Sequence, residues 1–419
     1  MAANKVDILV YAHWKGMVTP QLIGILSAHY AKGRKAFSFE YDRNWISSNA
    51  QLLLDPDINW YSGTQFPNRK ENFGVFMDSM PDTWGRKLMQ RRAVQIAAIE
   101  KKPPLTLYEL DYLLGVHDFT RMGALRFKID KDGPFLDDDT NTPTPPWAHI
   151  RELQHSVEQF ENDGDGAGEK KWLDVLIAPG SSLGGARPKA NIIHQDGDLW
   201  IAKFPSKSDT TDKAAWEYLS FLLAREGGID MAECRLEHIR GQHRTFFTKR
   251  FDRINGERIH FSSAMTMTGK NEEMIRDDTP SYLDIAEFLQ YNGAAIKADL
   301  QQLWRRIIFN ITISNTDDHM RNHGFILSGN GWRLSPAFDL NPSTDKNGLA
   351  LNIDTDNNAL DYDLAKSVGA FFHLKEKEMD EIIKEVRTAA SQWRTLAIKL
   401  SIPRAEQEAM SPAFDLALT

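Results

Sequence analysis

Two short apolar-rich runs stand near the start of the chain, and the second alternates with polar positions. Residues 6–12 (Val-Asp-Ile-Leu-Val-Tyr-Ala) and 37–41 (Phe-Ser-Phe-Glu-Tyr) predict strands, the second with one wet face. Helical spacing takes over across 84–99, after a segment (78–85) that packs Pro81 and two potential caps into a helix start. From 131 to 146 the periodicity dissolves into Asp-Gly-Pro, three successive aspartates and Thr/Pro steps, the composition of a solvated connector. Residues 162–168 carry aspartates and glycines as a calcium loop does. They lack the full ligand spacing and the closing glutamate, so a solvated loop is the reading.

The second half is more regular. Residues 191–194 and 199–204 predict a strand pair joined through the turn-rich Gln195-Asp-Gly-Asp198. A helix follows, with Thr210, Thr211 or Asp212 as its cap, Trp216, Leu219, Leu222 and Leu223 on its face, and Gly227-Gly228 as its stop. Another strand is predicted over 245–251, and helices over 282–291 and 375–400. Leu303, Trp304, Ile307, Ile308 and Ile311 line one helix face, and the polar run Asn315-Thr-Asp-Asp-His-Met-Arg-Asn322 comes directly after it. A hairpin over 324–327 and 331–334 then leads to Ser335-Pro-Ala-Phe-Asp-Leu340.

Composition narrows the class. A chain of 419 residues calls for more than one structural unit, and 42% hydrophobic with 26% charged residues is ordinary for a folded protein. A net charge of −8 supplies no general field for nucleic acid or anionic membrane. Arg86-Lys87 and Arg91-Arg92 cluster locally, which reads as a solvated helix face or, more sharply, a docking patch. The single cysteine, Cys234, excludes an intrachain disulfide and a multi-cysteine zinc site, and reads as a packed small residue. No run of about eighteen apolar residues predicts a membrane span, and the N-terminus lacks a secretory signal's apolar core. The expected compartment is the cytoplasm, without a membrane role.

A buried helix that feeds a charged loop, then a hairpin, then an isolated aspartate is an order that suits phosphoryl transfer. That chemistry needs a carboxylate beside the attacking hydroxyl and an amide oxygen five residues later to help hold magnesium. A second carboxylate completes a set of hard oxygen ligands. Asp317 and Asn322 have this spacing, and Asp339 is the second carboxylate. A lysine on a strand should orient the phosphates; Lys203 in Trp200-Ile-Ala-Lys-Phe-Pro205 is the candidate, with Glu217 as its partner.

With these residues in view, the chain resembles the HipA-type toxin kinases of bacterial toxin–antitoxin modules, over nearly its whole length. The resemblance rests on Phe76-Met-Asp-Ser-Met-Pro-Asp-Thr-Trp-Gly-Arg86 and Arg121-Met-Gly-Ala-Leu125 in the first part. Further on it rests on Ser182-Leu-Gly-Gly-Ala-Arg-Pro-Lys189, Ile201-Ala-Lys-Phe-Pro205, Lys249-Arg-Phe-Asp-Arg253, the 315–322 run and Phe338-Asp339. It implies a Ser/Thr protein kinase using ATP and Mg2+, with Asp317 as catalytic base and Asn322 and Asp339 as metal ligands. Lys203 would contact the phosphates, and the loop of Ser182, Gly184, Gly185, Ala186 and Lys189 would cover them. Lys249 and Phe251 would lie where adenine is read, and His319 beside the nucleotide. Ser182 matches an autophosphorylation site whose phosphate, repelled by those of ATP, would switch the enzyme off; Ser181 leaves the modified residue open between the two. The loop departs from the family's Gly-Ala-Gln-Glu-Lys form, because Arg187-Pro188 adds a cation and stiffness.

The resemblance implies an α+β fold, a mixed N-terminal domain packed on a two-lobed protein-kinase-like domain with a mostly helical C-terminal lobe. The expected boundaries are 1–130 for the N-terminal domain, 131–170 for a connecting segment, 171–253 for the small lobe and 254–419 for the large lobe. The implied partners are a protein substrate and a small HipB-like helix-turn-helix antitoxin, with DNA reached only through the latter. Three rivals stand beside this reading. His319 and His323, four apart near Asp317 and Asp318, suggest a metal-dependent phosphoesterase. A pseudokinase acting as a binding or co-repressor module is a second, and a kinase of lipids or small molecules a third.

Overall fold

The computed structural model describes residues 4–31, 34–81, 83–138, 144–162, 175–176, 185–329, 331–345 and 347–418. Ser181, Ser182, Gly184, Asp82 and residues 163–168 lie outside the described residues. The chain divides into two compact units. One comprises 1–208, 239–241 and 252–262, the other 209–238, 242–251 and 263–419. Both mix antiparallel strands with separate helices, so the fold is α+β.

In the first unit, β1 (Asn4–Ala12), β2 (Gln21–Ala31), β3 (Arg34–Tyr41) and β4 (Leu125–Lys128) form an antiparallel sheet in the order β3-β2-β1-β4. Alternation puts Ile8, Val10 and Ala12 of β1 and Phe37, Phe39 and Tyr41 of β3 on the buried face, where Phe73, Phe76 and Phe127 complete the core. β2 is not legible as a strand because Leu22, Ile23, Ile25 and Leu26 make both faces apolar, and Ile25 is in fact exposed.

Helix Thr83–Glu100 buries Trp84, Leu88 and Met89. Its basic cluster is more than a solvated face. Arg86 makes a bidentate pair with Glu109 at 2.7 and 2.8 Å and lies 4.4 Å over the Tyr112 ring, while Arg91 lies 4.6 Å over Phe160. Helix Ile150–Asn162 buries Leu153, Val157 and Phe160. Strands β5 (Lys189–Ile193) and β6 (Leu199–Lys203) pair as the expected hairpin, with Gly197 at φ +88° in its turn.

In the second unit, helix Lys213–Glu226 begins at Asp212, whose carboxylate accepts from Ala215 N at 3.1 Å, and stops at Gly227. Strands β7 (Cys234–Glu237) and β8 (Thr245–Lys249) pair antiparallel, and Cys234 is a buried thiol. Helix Tyr282–Asn292 opens with a Ser281/Asp284 capping box and packs on helix Ile296–Thr312, which is buried along nearly its whole second half. The hairpin of Gly324–Ser328 and Gly331–Leu334 follows as expected. The single helix predicted over 375–400 is two, Glu376–Ala390 and Trp393–Lys399. The break lets Trp393 stack on Phe414 at 4.6 Å, with ring planes 10° apart. No helix among the described residues is long and apolar enough to cross a membrane.

Candidate functional site

The polar loop after helix Ile296–Thr312 takes its shape from the helix end. Ser314 turns the chain at φ +51°, and Asn315 N returns to Asn310 O at 2.8 Å. Asn315 Nδ2 donates to Asn310 Oδ1 (2.9 Å), and Asn310 Nδ2 donates to the Tyr282 hydroxyl (2.8 Å). Tyr282 in turn donates to Asp318 Oδ2 at 2.5 Å, and Ala350 N donates to Asp318 Oδ1 at 2.5 Å. Asp318 is thus an inward anchor holding together the loop, helix Tyr282–Asn292 and the 349–353 segment. Burial pushes its carboxyl up to about 6, although its hydrogen bonds favour the charged form.

The neighbouring aspartate faces the other way. The Asp317 side chain is 74% exposed, and Asn322 Nδ2 donates to Asp317 O at 2.7 Å, closing the loop. That bond occupies the amide nitrogen of Asn322 and leaves Oδ1 as its free-facing oxygen, the atom a hard cation selects. His319 is half-buried, with Nε2 3.9 Å from Asp317 Oδ1, and its Nδ1 accepts from Arg321 N. His323 does not join it in a ligand pair. Its ring is buried edge-on against Tyr282 at 5.4 Å, Nε2 donates to Asp318 O at 3.2 Å, and burial holds the imidazole down to about 3. Among the described residues no cluster of three or more His, Cys, Asp or Glu has a metal-holding arrangement.

The 324–334 hairpin delivers Asp339. Ala337 bridges Met231, Phe338 packs 5.8 Å from Phe251, and Asp339 then adopts φ +59°. A left-handed aspartate costs conformational energy and is held there by its surroundings. Its Oδ1 lies 3.4 Å from Asn341 Nδ2. The carboxylate of Asp339 and the amide oxygen of Asn322 are both hard donors suited to magnesium. Lys249 ends β8, its N–H bonded to Glu233 O at 2.8 Å, and Phe251 follows on the Phe338 side. Glu217 is buried on helix Lys213–Glu226.

Lys203, Lys189, Gly185 and Ala186 belong to the first unit. Lys189 and Lys203 are direct cross-strand partners on β5 and β6. Gly185 adopts φ +81°, and a Cβ there would lie 2.6 Å from Lys189 Nζ, so the ammonium folds back over the glycine. Ala186 is exposed beside it. The roles of Asp318, Tyr282 and Asn310 have no signal in the sequence beyond the polarity of the residues, because their pairing spans up to 36 positions.

Residues 181–393, half of the chain, match the family described as HipA-like C-terminal domain. A Haemophilus influenzae protein named "Putative kinase" is 28% identical over 179 residues, covering 38% of this chain and 52% of that protein. "Putative kinase Y4mE" of Sinorhizobium fredii is 27% identical over 182 residues, covering 38% of this chain and 41% of that protein. The chain spans about half the length of these curated relatives. Among solved structures, a chain of the Shewanella oneidensis MR-1 toxin–antitoxin complex of HipA, HipB and operator DNA superposes with a TM-score of 0.66. Its sequence identity is 17%, with 98% of this chain and 96% of that chain covered, a likeness of fold.

Proposed function

This chain belongs to the HipA-like C-terminal domain family, and from that premise we propose that it is an ATP- and magnesium-dependent serine/threonine protein kinase. The observation that carries the reading is the opposed pair in the 315–322 loop: Asp318 is tied into the core, while Asp317 is held outward with its carbonyl locked to Asn322. A base must be reachable by a bulky substrate yet fixed in place, and this division of labour meets both needs.

In this reading Asp317 accepts the proton of the substrate hydroxyl as its oxygen bonds to the terminal phosphorus and the bond to the ADP oxygen breaks. Asn322 Oδ1 and Asp339 hold magnesium, which when bound neutralises charge on the phosphates. Lys189 and Lys203 take the phosphate contacts, with backbone N–H groups of the Ser182, Gly184, Gly185 and Ala186 loop. Lys249 and Phe251 border adenine, and His319 stands beside Asp317. Autophosphorylation at Ser182, or at Ser181, switches the enzyme off. The partner is a HipB-like antitoxin, supported by the HipA–HipB–DNA assembly named for the Shewanella structure. With a net charge of −8 the chain reaches DNA through that partner, in the cytoplasm where ATP is available.

Incubation with terminally labelled ATP should transfer magnesium-dependent label to protein, and Asp317→Ala should abolish it. Undiminished transfer in Asp317→Ala would refute the base assignment; absence of transfer in the unsubstituted chain would refute the kinase reading. Phosphoproteomics of cells expressing active and Asp317→Ala forms would then identify the substrate.

A further inference from the structure

Helix Thr83–Glu100 starts beside Gly185 of its own unit. The first N–H groups of a helix have no acceptor within it. Here Trp84 N donates to Gly185 O at 3.2 Å, and the indole Nε1 of the same residue donates to Lys189 O at 2.8 Å. One side chain and its own backbone thus grip carbonyls four residues apart, bracketing the left-handed Gly185 and the start of β5. The indole is 2% exposed and lies edge-on to Phe160 at 5.1 Å, so it is itself held firmly.

We propose that Trp84 is a positioning residue for nucleotide binding: its indole N–H fixes the 185–189 segment so that the Lys189 ammonium stands beside Lys203, ready for phosphates. The proposal rests on the phosphate roles given to these two lysines. The physical chain is short. Deleting the indole N–H removes the donor that holds the Lys189 carbonyl at 2.8 Å, in a residue only 7% exposed, and loosens its placement. Movement of that carbonyl shifts the Cα of Lys189, its register with Lys203 and the ammonium folded over Gly185. Asp317, Asn322 and Asp339 belong to other segments and keep their geometry. An N-terminal helix thereby sets affinity for the nucleotide without touching it.

Trp84→Phe keeps an aromatic ring against Phe160 and the backbone N–H, and deletes the indole N–H. ATP-dependent autophosphorylation should show half-saturating ATP raised about five- to tenfold with the saturated rate within about twofold, and calorimetric affinity for magnesium–ATP should fall in parallel. Phe160→Leu is the control: it loosens the same packing without removing the N–H, and should lower thermal stability with half-saturation unchanged. Unchanged half-saturation in Trp84→Phe, a fall confined to the saturated rate, or an equal shift in Phe160→Leu would each overturn the proposal. Should Trp84→Phe not fold, benzothienylalanine at position 84 preserves the ring shape and removes only the N–H, and the same readings apply. Failure of the unsubstituted chain to bind magnesium–ATP would instead remove the kinase reading itself.

Discussion

Tyr282→Phe removes one oxygen from a fully buried site, and its cost follows from two bonds. The hydroxyl donates to Asp318 Oδ2 at 2.5 Å and accepts from Asn310 Nδ2 at 2.8 Å. A hydrogen bond to a charged group contributes about 1.5–3 kcal/mol, and a buried donor left unpaired costs about 1–3 kcal/mol. A loss of about 3 kcal/mol at pH 8 is therefore expected, or about 6–12 °C in melting temperature for a unit of roughly 200 residues. The pH dependence gives the sharper test. Burial already raises Asp318 to about 6, and removing a donor raises it further. A carboxyl whose folded pKa lies above its unfolded value penalises the native state when charged; the penalty shrinks as pH falls below the folded pKa and is gone below the unfolded one. The substitution enlarges that penalty at pH 8 and leaves it nearly unchanged at pH 5, where the group is mostly protonated in both folded proteins. Each further unit of pKa corresponds to about 1.4 kcal/mol. Denaturant unfolding of both proteins at pH 5 and pH 8, followed by near-ultraviolet circular dichroism, reads the difference directly. Equal costs at the two pH values would refute the assignment of Tyr282 as a donor to a buried carboxylate.

Other consequences are open to measurement. Asp339→Gly and Asp339→Ala should both abolish phosphate transfer. The glycine variant should be the more stable by about 1 kcal/mol, because only glycine adopts φ +59° without strain; calorimetric unfolding that ranks alanine higher would contradict this. His323 is neutral in the fold and its pKa is held down to about 3, so its stabilising neutrality is lost as pH falls below the unfolded value near 6.5. The cost of His323→Gln should accordingly shrink by about 2 kcal/mol between pH 7 and pH 5, a change visible in denaturant midpoints. Gly185→Ala places a Cβ 2.6 Å from Lys189 Nζ at an unfavourable φ. It should raise half-saturating ATP at least as much as Trp84→Phe, and unchanged ATP affinity would argue against a phosphate role for Lys189.

Part of the candidate site's geometry was legible in one dimension because it is local. Asp317 and Asn322 share one loop, so their five-residue spacing encodes the bond that closes it. Periodicity likewise announced helices Lys213–Glu226 and Ile296–Thr312 and the 324–334 hairpin, whose apolar faces and caps follow from near-neighbour spacing. What local pattern could not carry is orientation. Asp317 and Asp318 are identical in chemistry and adjacent in sequence, yet one is exposed and the other buried, since only the second meets Tyr282 and Ala350. The left-handed backbone of Asp339 and the grip of Trp84 on Lys189, 105 positions away, are also decided by packing. A sequence states which donors and acceptors exist and how near neighbours repeat. Which distant groups exclude water together, and so which carboxylate becomes an anchor and which stays exposed, is settled only when the chain closes on itself.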